Sequence, residues 1–152
     1  YTMPAGVKIL ALKYRESGYD TDFAGSFKCD DPMLNTLWRK AARTLYVNMR
    51  DNYSDCPDRE RGQWWGDVVI DLGEAFYAFD RRSDAIIHKG LCELAAWQRP
   101  DGTMFSPIPA GNYDVELAPQ ILATVGYYGA WTYYFNTGDS ATCRRIYPAI
   151  KK

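Results

Sequence analysis

Between residues 34 and 46 apolar side chains return at three- and four-residue steps: Leu34, Leu37, Trp38, Ala41, Ala42, Leu45 and Tyr46. That spacing makes one stripe on a helix and predicts a helix over about residues 31–48. Asp30-Asp31-Pro32 supplies its start, because an Asp side chain caps free N–H groups and proline is tolerated at the first helical position. Val69, Leu72, Phe76 and Phe79 form a second stripe, predicting a helix from about Asp67 to Phe79. Ser83 is placed to cap a third helix, carrying Ile86, Ile87, Leu91 and Leu94 toward Trp97. From about Glu116 to Asn136 the chain is apolar nearly all round, with Gly126, Gly129 and Ala130 along it. This reads as a single fourth helix, buried on most sides. Gly138 fits the residue just past a helix end, and Asp139 caps a fifth helix still running near Lys152.

The pattern differs before residue 27. Residues 7–14 alternate imperfectly between apolar and polar and read as a strand, with a short second strand around Phe23 to Phe27. Residues 1–26 are therefore expected to be a β segment or linker from a preceding β domain, and residues 27–152 a mainly α domain. Polar residues fill the connection from Met49 to about Trp64. Arg99-Pro100-Asp101-Gly102 is a turn signal, and that loop continues through Pro107, Pro109 and Gly111. An all-apolar fourth helix needs neighbours on several sides, and four and a half helices supply few. The chain is expected to be incomplete or to assemble with copies of itself, since uncovered apolar faces favour self-association.

Composition narrows the function classes. The 152 residues are 47% apolar with a formal net charge of −1. A near-neutral balance gives no electrostatic reason to expect nucleic acid or an anionic membrane as partner. No apolar run approaches transmembrane length. The start lacks a secretory signal, so either the protein is not exported or its leader lies outside these residues; periplasmic, secreted and cytoplasmic locations all stay open. Aromatic residues reach 15%, with twelve Tyr and five Trp. Most belong in a core, but a carbohydrate site also uses aromatic rings against sugar C–H faces. Cys29, Cys56, Cys92 and Cys143 form no C-x-x-C pair. Buried free thiols are expected rather than zinc or a disulfide scaffold. The single histidine, His88, reads as structural, and neither a cofactor nor a metal is expected.

Residues 55–67 read DCPDRERGQWWGD, placing four carboxylates, two arginines, two tryptophans and two glycines between two helices. Glycoside hydrolysis needs one carboxyl group held protonated for the leaving oxygen, and a second carboxylate to activate water or attack carbon. Glu60 lies four residues from Trp64, and burial against such a ring favours the protonated form of a carboxyl. Arg59 would oppose this by pairing with Glu60, or would instead hold Asp55 or a sugar hydroxyl. The ordinary alternative is a solvated loop whose aspartates cap the second helix, with Asp67 as N-cap.

The string Asp55-Cys56-Pro57-x-Arg59-Glu60, followed by Trp64-x-Gly66-Asp67, resembles the signature of glycoside hydrolase family 78, the bacterial α-L-rhamnosidases. Phe27-x-Cys29-x-Asp31-Pro32-x-Leu34-Asn35-x-Leu37-Trp38 is similar to the family's entry into its first barrel helix. Pro100-Asp101-Gly102 and the Tyr-rich helix ending in Thr137-Gly138-Asp139 also match six-hairpin glycosidases, so the likeness covers about residues 24–147. The resemblance implies part of an (α/α)6 toroid preceded by β domains, and hydrolysis of a terminal α-L-rhamnose or related sugar with inversion. It implies Glu60 as general acid, Asp55, Arg59 and Asp67 contacting the sugar, and Trp64 walling the pocket. Asp114 resembles a substrate-contacting acid, with a turn or helix-capping Asp as the other reading.

Gly62-Gln63 and Trp65 depart from the family's Leu-Gly and small residue at those places, and are expected to change the lining of the sugar pocket. The family's general base is a glutamate beyond position 152, so these residues alone are expected to be inactive. The alternative from another class is a non-catalytic carbohydrate-binding or structural module of the same fold. A polysaccharide lyase or unsaturated-glycuronyl hydrolase shares the hairpins but not the Asp-Cys-Pro-x-Arg-Glu string.

Overall fold

The computed structural model describes residues 2, 4–109 and 115–152. The architecture is mainly helical, in the order α1 (Pro32–Val47), β1 (Gln63–Trp64), α2 (Trp65–Ala78), a 3-10 turn (Arg81–Ser83), α3 (Asp84–Ala96), β2 (Pro107–Ile108), α4 (Ala118–Val125), α5 (Ala130–Thr137) and α6 (Ser140–Lys151). Among the described residues no helix is long and apolar enough to cross a membrane.

Local chemistry sets several boundaries. Asp31 accepts the Met33 amide at 2.7 Å and starts α1, with Pro32 at the first helical position. Gly138 takes φ +71°, the left-handed conformation that ends α5 cheaply. Asp139 then caps α6 by accepting the amides of Ala141 and Thr142. Ser83 does not act as expected: its hydroxyl donates to the Asp80 carbonyl at 2.8 Å, while the Asp80 side chain caps the 3-10 turn through Arg82.

Other expectations are corrected as well. The predicted fourth helix is two helices, broken over residues 126–129 by Gly126 and Gly129. Gly129 approaches so closely that a Cβ there would lie 1.9 Å from the Thr124 carbonyl oxygen, and glycine also carries the weakest helix propensity apart from proline. Nor is this region buried on most sides: Leu122, Tyr127, Tyr128, Trp131 and Phe135 are exposed. The strand expected over residues 7–14 does not form. Its Leu10, Leu12 and Tyr14 lie in solvent, because alternation specifies a strand only when a partner edge accepts its hydrogen bonds.

Residues 19–27 form no strand either, and dock on the ends of α1 and α2. Gly25 N–H donates to the Ala78 carbonyl at 3.1 Å, Thr21 donates to Asp80 at 2.8 Å, and the Phe23 ring packs on Tyr46 and Phe79. In the interior α2 packs against α1, α4 and α5, while α3 packs along α6. Trp65, Val68, Leu72 and Ala75 of α2 meet Ile87 and Leu91 of α3 in one buried cluster. The connection after α3 returns to the start of α2, where Gln63 pairs with Ile108 and Trp64 with Pro107, antiparallel. That short pairing brings the acidic loop and the α3–α4 loop to the same end of the helices.

Candidate active site

The loop between α1 and α2 is closed by its own backbone. Ser54 N–H donates to the Asn48 carbonyl at 2.9 Å, and Asp55 N–H to the Gly62 carbonyl at 2.9 Å. Gly62 N–H returns a bond to Asp55 Oδ1 at 2.9 Å. Residues 55–62 thus form a small loop whose neck is Asp55 and Gly62, and Arg61 accommodates the bend with φ +53°. Trp64 lies against Gly62 beside the Asp55 carboxylate.

Glu60 is gathered into this neck. One polar atom each of Asp55, Cys56 and Glu60 lies within 4.8 Å of the other two, and Cys56 Sγ donates to Glu60 Oε2 at 3.4 Å. The Glu60 side chain is 15% exposed, whereas Arg59, which ion-pairs with it, is 84% exposed. Of the two partners open to Arg59, the structure therefore selects Glu60. Burial pushes the Asp55 carboxyl upward, but hydrogen bonds from Cys56, the Gly62 amide and Glu60 outweigh it and hold Asp55 below the usual carboxylate range. The three groups are close enough to share a metal ion.

Asp67 is not the N-cap of α2. Trp64 occupies that position without a side-chain bond, and Asp67 sits in the first turn, where the helix dipole favours a carboxylate. Its carboxyl is nevertheless raised, first by partial burial and then by the charge of Asp55. One turn further along the same face, Asp71 is pushed up to about 7 by burial, with Glu74, Asp67 and Asp55 adding like charge. Asp71 was missed by sequence reasoning. Its signal was present as the four-residue step from Asp67, which puts both on one helix face. Beside it lies the buried phenol of Tyr53, raised first by burial and then by Asp71.

Gln63 and Trp65 do not line an open pocket, contrary to expectation. Both are buried. Gln63 Nε2 donates to Glu93 Oε2 at 3.2 Å and to the Ile108 carbonyl at 3.3 Å, and the Trp65 side chain sits beside Gly90 on α3. These departures from the family string rebuild the floor beneath the loop. The Gly66 amide just above this floor donates to Gln120 Oε1 on α4 at 3.2 Å. Asp114 lies outside the described residues. The cysteines are free, as expected, but partly rather than fully buried.

The fold and loop together define a helical-hairpin protein with a carboxyl cluster at one end of its helices. A family model described as the bacterial alpha-L-rhamnosidase six-hairpin glycosidase domain matches residues 22–152, and the chain belongs to that family. An alpha-L-rhamnosidase of Formosa agariphila is 25% identical over 142 residues, covering 87% of this chain and 15% of the relative. A solved family 78 rhamnosidase of Bacillus sp. GL1 superposes with a TM-score of 0.77 at 27% identity, over 90% of this chain and 14% of that one. The alpha-L-rhamnosidase of Dictyoglumus thermophilum shares the fold, with a TM-score of 0.79 at 24% identity over 88% of this chain and 15% of its own. The chain thus spans about 15% of the length of the curated relative it matches.

Proposed function

We propose that this chain carries the general-acid half of an inverting α-L-rhamnosidase site, with Glu60 delivering the proton to the departing glycosidic oxygen. The observation that carries the reading is that Glu60 is drawn into the neck of the acidic loop, its side chain 15% exposed and one polar atom of it within 4.8 Å of Asp55 and Cys56. Hydrogen bonding outweighs burial and keeps Asp55 below the usual carboxylate range, which suits it to accept from a sugar hydroxyl and leaves Glu60 as the carboxyl assigned to proton delivery. Arg59 competes for Glu60 from solvent, so its attraction is screened. A sugar entering the loop displaces it.

In this reading Asp55 and Asp67 bind hydroxyls of the terminal sugar, Trp64 supplies an apolar wall, and Arg59 moves from Glu60 to a sugar oxygen. Asp114 contacts substrate from the α3–α4 loop. Inversion requires a second carboxylate roughly 6.5–9.5 Å from the acid, with a water between them. A glutamate from a later hairpin supplies it. The exposed faces of α4 and α5 are then where further hairpins of the toroid pack. Residues 27–152 are its opening part and residues 1–26 the link from a preceding β domain.

The test is Glu60→Gln in the complete six-hairpin enzyme, assayed on an alkyl and a nitrophenyl α-L-rhamnoside. Loss of acid catalysis lowers kcat/KM on the alkyl glycoside by about 100- to 10,000-fold. The loss is smaller on the nitrophenyl glycoside, whose leaving group needs less protonation. Activity within about tenfold of wild type on both removes Glu60 from the acid role. The second reading, a sugar-binding module without catalysis, draws on the Arg59–Glu60 ion pair. It predicts rhamnoside binding with no turnover by the wild-type protein.

A further inference from the structure

A second cluster of reactive groups lies away from the acidic loop, where α3 packs on α6. Its hydrogen bonds run in one direction, and Asp139 sets it. Asp139 Oδ1 accepts the amides of Ala141 and Thr142 at 3.0 Å each. Its Oδ2 accepts the Tyr133 hydroxyl at 2.8 Å and the Thr142 hydroxyl. These donors, the Thr142 hydroxyl foremost, lower the carboxyl to about 2. At neutral pH Asp139 can only accept, so Thr142 must donate its single hydroxyl proton to it.

That commitment fixes the next link. Thr142 Oγ1 also lies 2.7 Å from His88 Nδ1. With its proton committed, the oxygen accepts, so Nδ1 carries the imidazole hydrogen. The lone pair is then on Nε2, which lies 3.8 Å from Cys92 Sγ, one helical turn along α3. Nucleophile, base and a third group orienting the base are therefore arranged in sequence. An imidazolium formed here would have Asp139 Oδ2 at 3.8 Å from Nδ1.

Cys92 also lines a groove of about 470 Å³ between α3 and α6, together with Gln98, Ile146, Arg145 and Lys152. Two cations lining the same groove as a thiol suit an anionic reactant. The other thiols are placed differently: burial pushes the Cys143 thiol up, Cys56 donates into the carboxyl cluster, and Cys29 Sγ donates to the Asp31 carbonyl.

We propose that Cys92 is a nucleophilic thiol, with His88 as its base, that undergoes exchange with small anionic disulfides in the α3–α6 groove. The thiol proton passes to His88 Nε2 as Cys92 Sγ attacks one sulfur of the disulfide. A new S–S bond forms at Cys92, the reagent's S–S bond breaks, and its other sulfur leaves as a thiolate. The exchange needs no further oxidant.

The test uses the chain with its four cysteines intact, treated with dithiobis-nitrobenzoate, a dianionic disulfide. Thiolate release is followed optically and modified peptides are assigned by mass. Cys92 is expected to react about tenfold or more faster than the other three, and His88→Gln to remove that advantage. Thr142→Val should slow Cys92 and Thr142→Ser should restore it, separating control of the tautomer from loss of fold. Arg145→Ser should slow the dianionic reagent but not uncharged dithiodipyridine. Reaction of Cys92 within about threefold of Cys143, or an unchanged Cys92 rate in His88→Gln, overturns the base-assisted thiol. Equal effects of Arg145→Ser on both reagents overturn the anionic preference.

Discussion

Asp71 gives the sharpest link between this fold and solution behaviour. Its carboxyl has an ordinary value of 3.8 and is pushed up to about 7, first by burial and then by Glu74, Asp67 and Asp55. The folded chain therefore keeps this proton to a higher pH than the unfolded chain. Unfolding releases it, and stability falls as pH rises from near 3.8 through 7. At about 1.4 kcal/mol per pH unit, the full cost of ionising Asp71 in the fold is about 4 kcal/mol. At pH 4.5 only about 1 kcal/mol of that is present, because this pH lies less than one unit above the unfolded chain's value of 3.8. Asp71→Asn removes the titration and adds a buried amide costing roughly 1–3 kcal/mol at any pH. The amide cost cancels when two pH values are compared. The variant's stability relative to wild type should thus improve by about 3 kcal/mol between pH 4.5 and pH 8. Urea denaturation measures this as a relative midpoint shift of about 1.5 M, for a slope near 2 kcal/mol per M. Asp67 and Asp84 are also raised, but they remain in both proteins and drop out of the difference. A change below about 1 kcal/mol would refute the claim that α2 buries a carboxyl acid here.

Other substitutions test the scaffold. Leu72, wholly buried at the centre of α2, should cost about 2.7–5 kcal/mol when changed to Ala, read by the same denaturation. Gly138→Ala meets no atom within 4 Å but keeps φ +71°, so it should cost about 1 kcal/mol through backbone strain alone, seen as a lower Tm with unchanged helical circular dichroism.

Legibility in the sequence followed the range of the interactions involved. The Asp31-Pro32 start and the Gly138-Asp139 junction are decided within a few residues, and both stand where the pattern put them. The stripe of α1 was equally plain, because a helix face repeats locally. The break at residues 126–129 was hidden among apolar neighbours, although Gly126 and Gly129 were in view. The expected strand at residues 7–14 rested on alternation without knowledge of a partner. The pairing of Gln63 with Ile108 joins positions 45 apart, and the His88–Thr142 bond spans 54. No local pattern reports contacts of that kind, and the burial of Asp71 depends on them as well.

The same distinction separates what the acidic loop presents from what holds it. Asp55 and Gly62 close the loop across seven residues, so a sequence string can carry its shape. Its orientation comes from elsewhere: Gln63 reaches Glu93 and Ile108, Trp65 N–H donates to Ser106, and Gly66 to Gln120. The residues that depart from the family string belong to this underside. Because Gln63 and Trp65 are buried against α3 and β2, changing them alters, under the proposed function, how the carboxyls are aimed before it alters what a sugar would touch. Substitutions at these two positions should therefore couple stability to turnover of the complete enzyme, whereas substitutions at Asp67, which is partly exposed, should separate them.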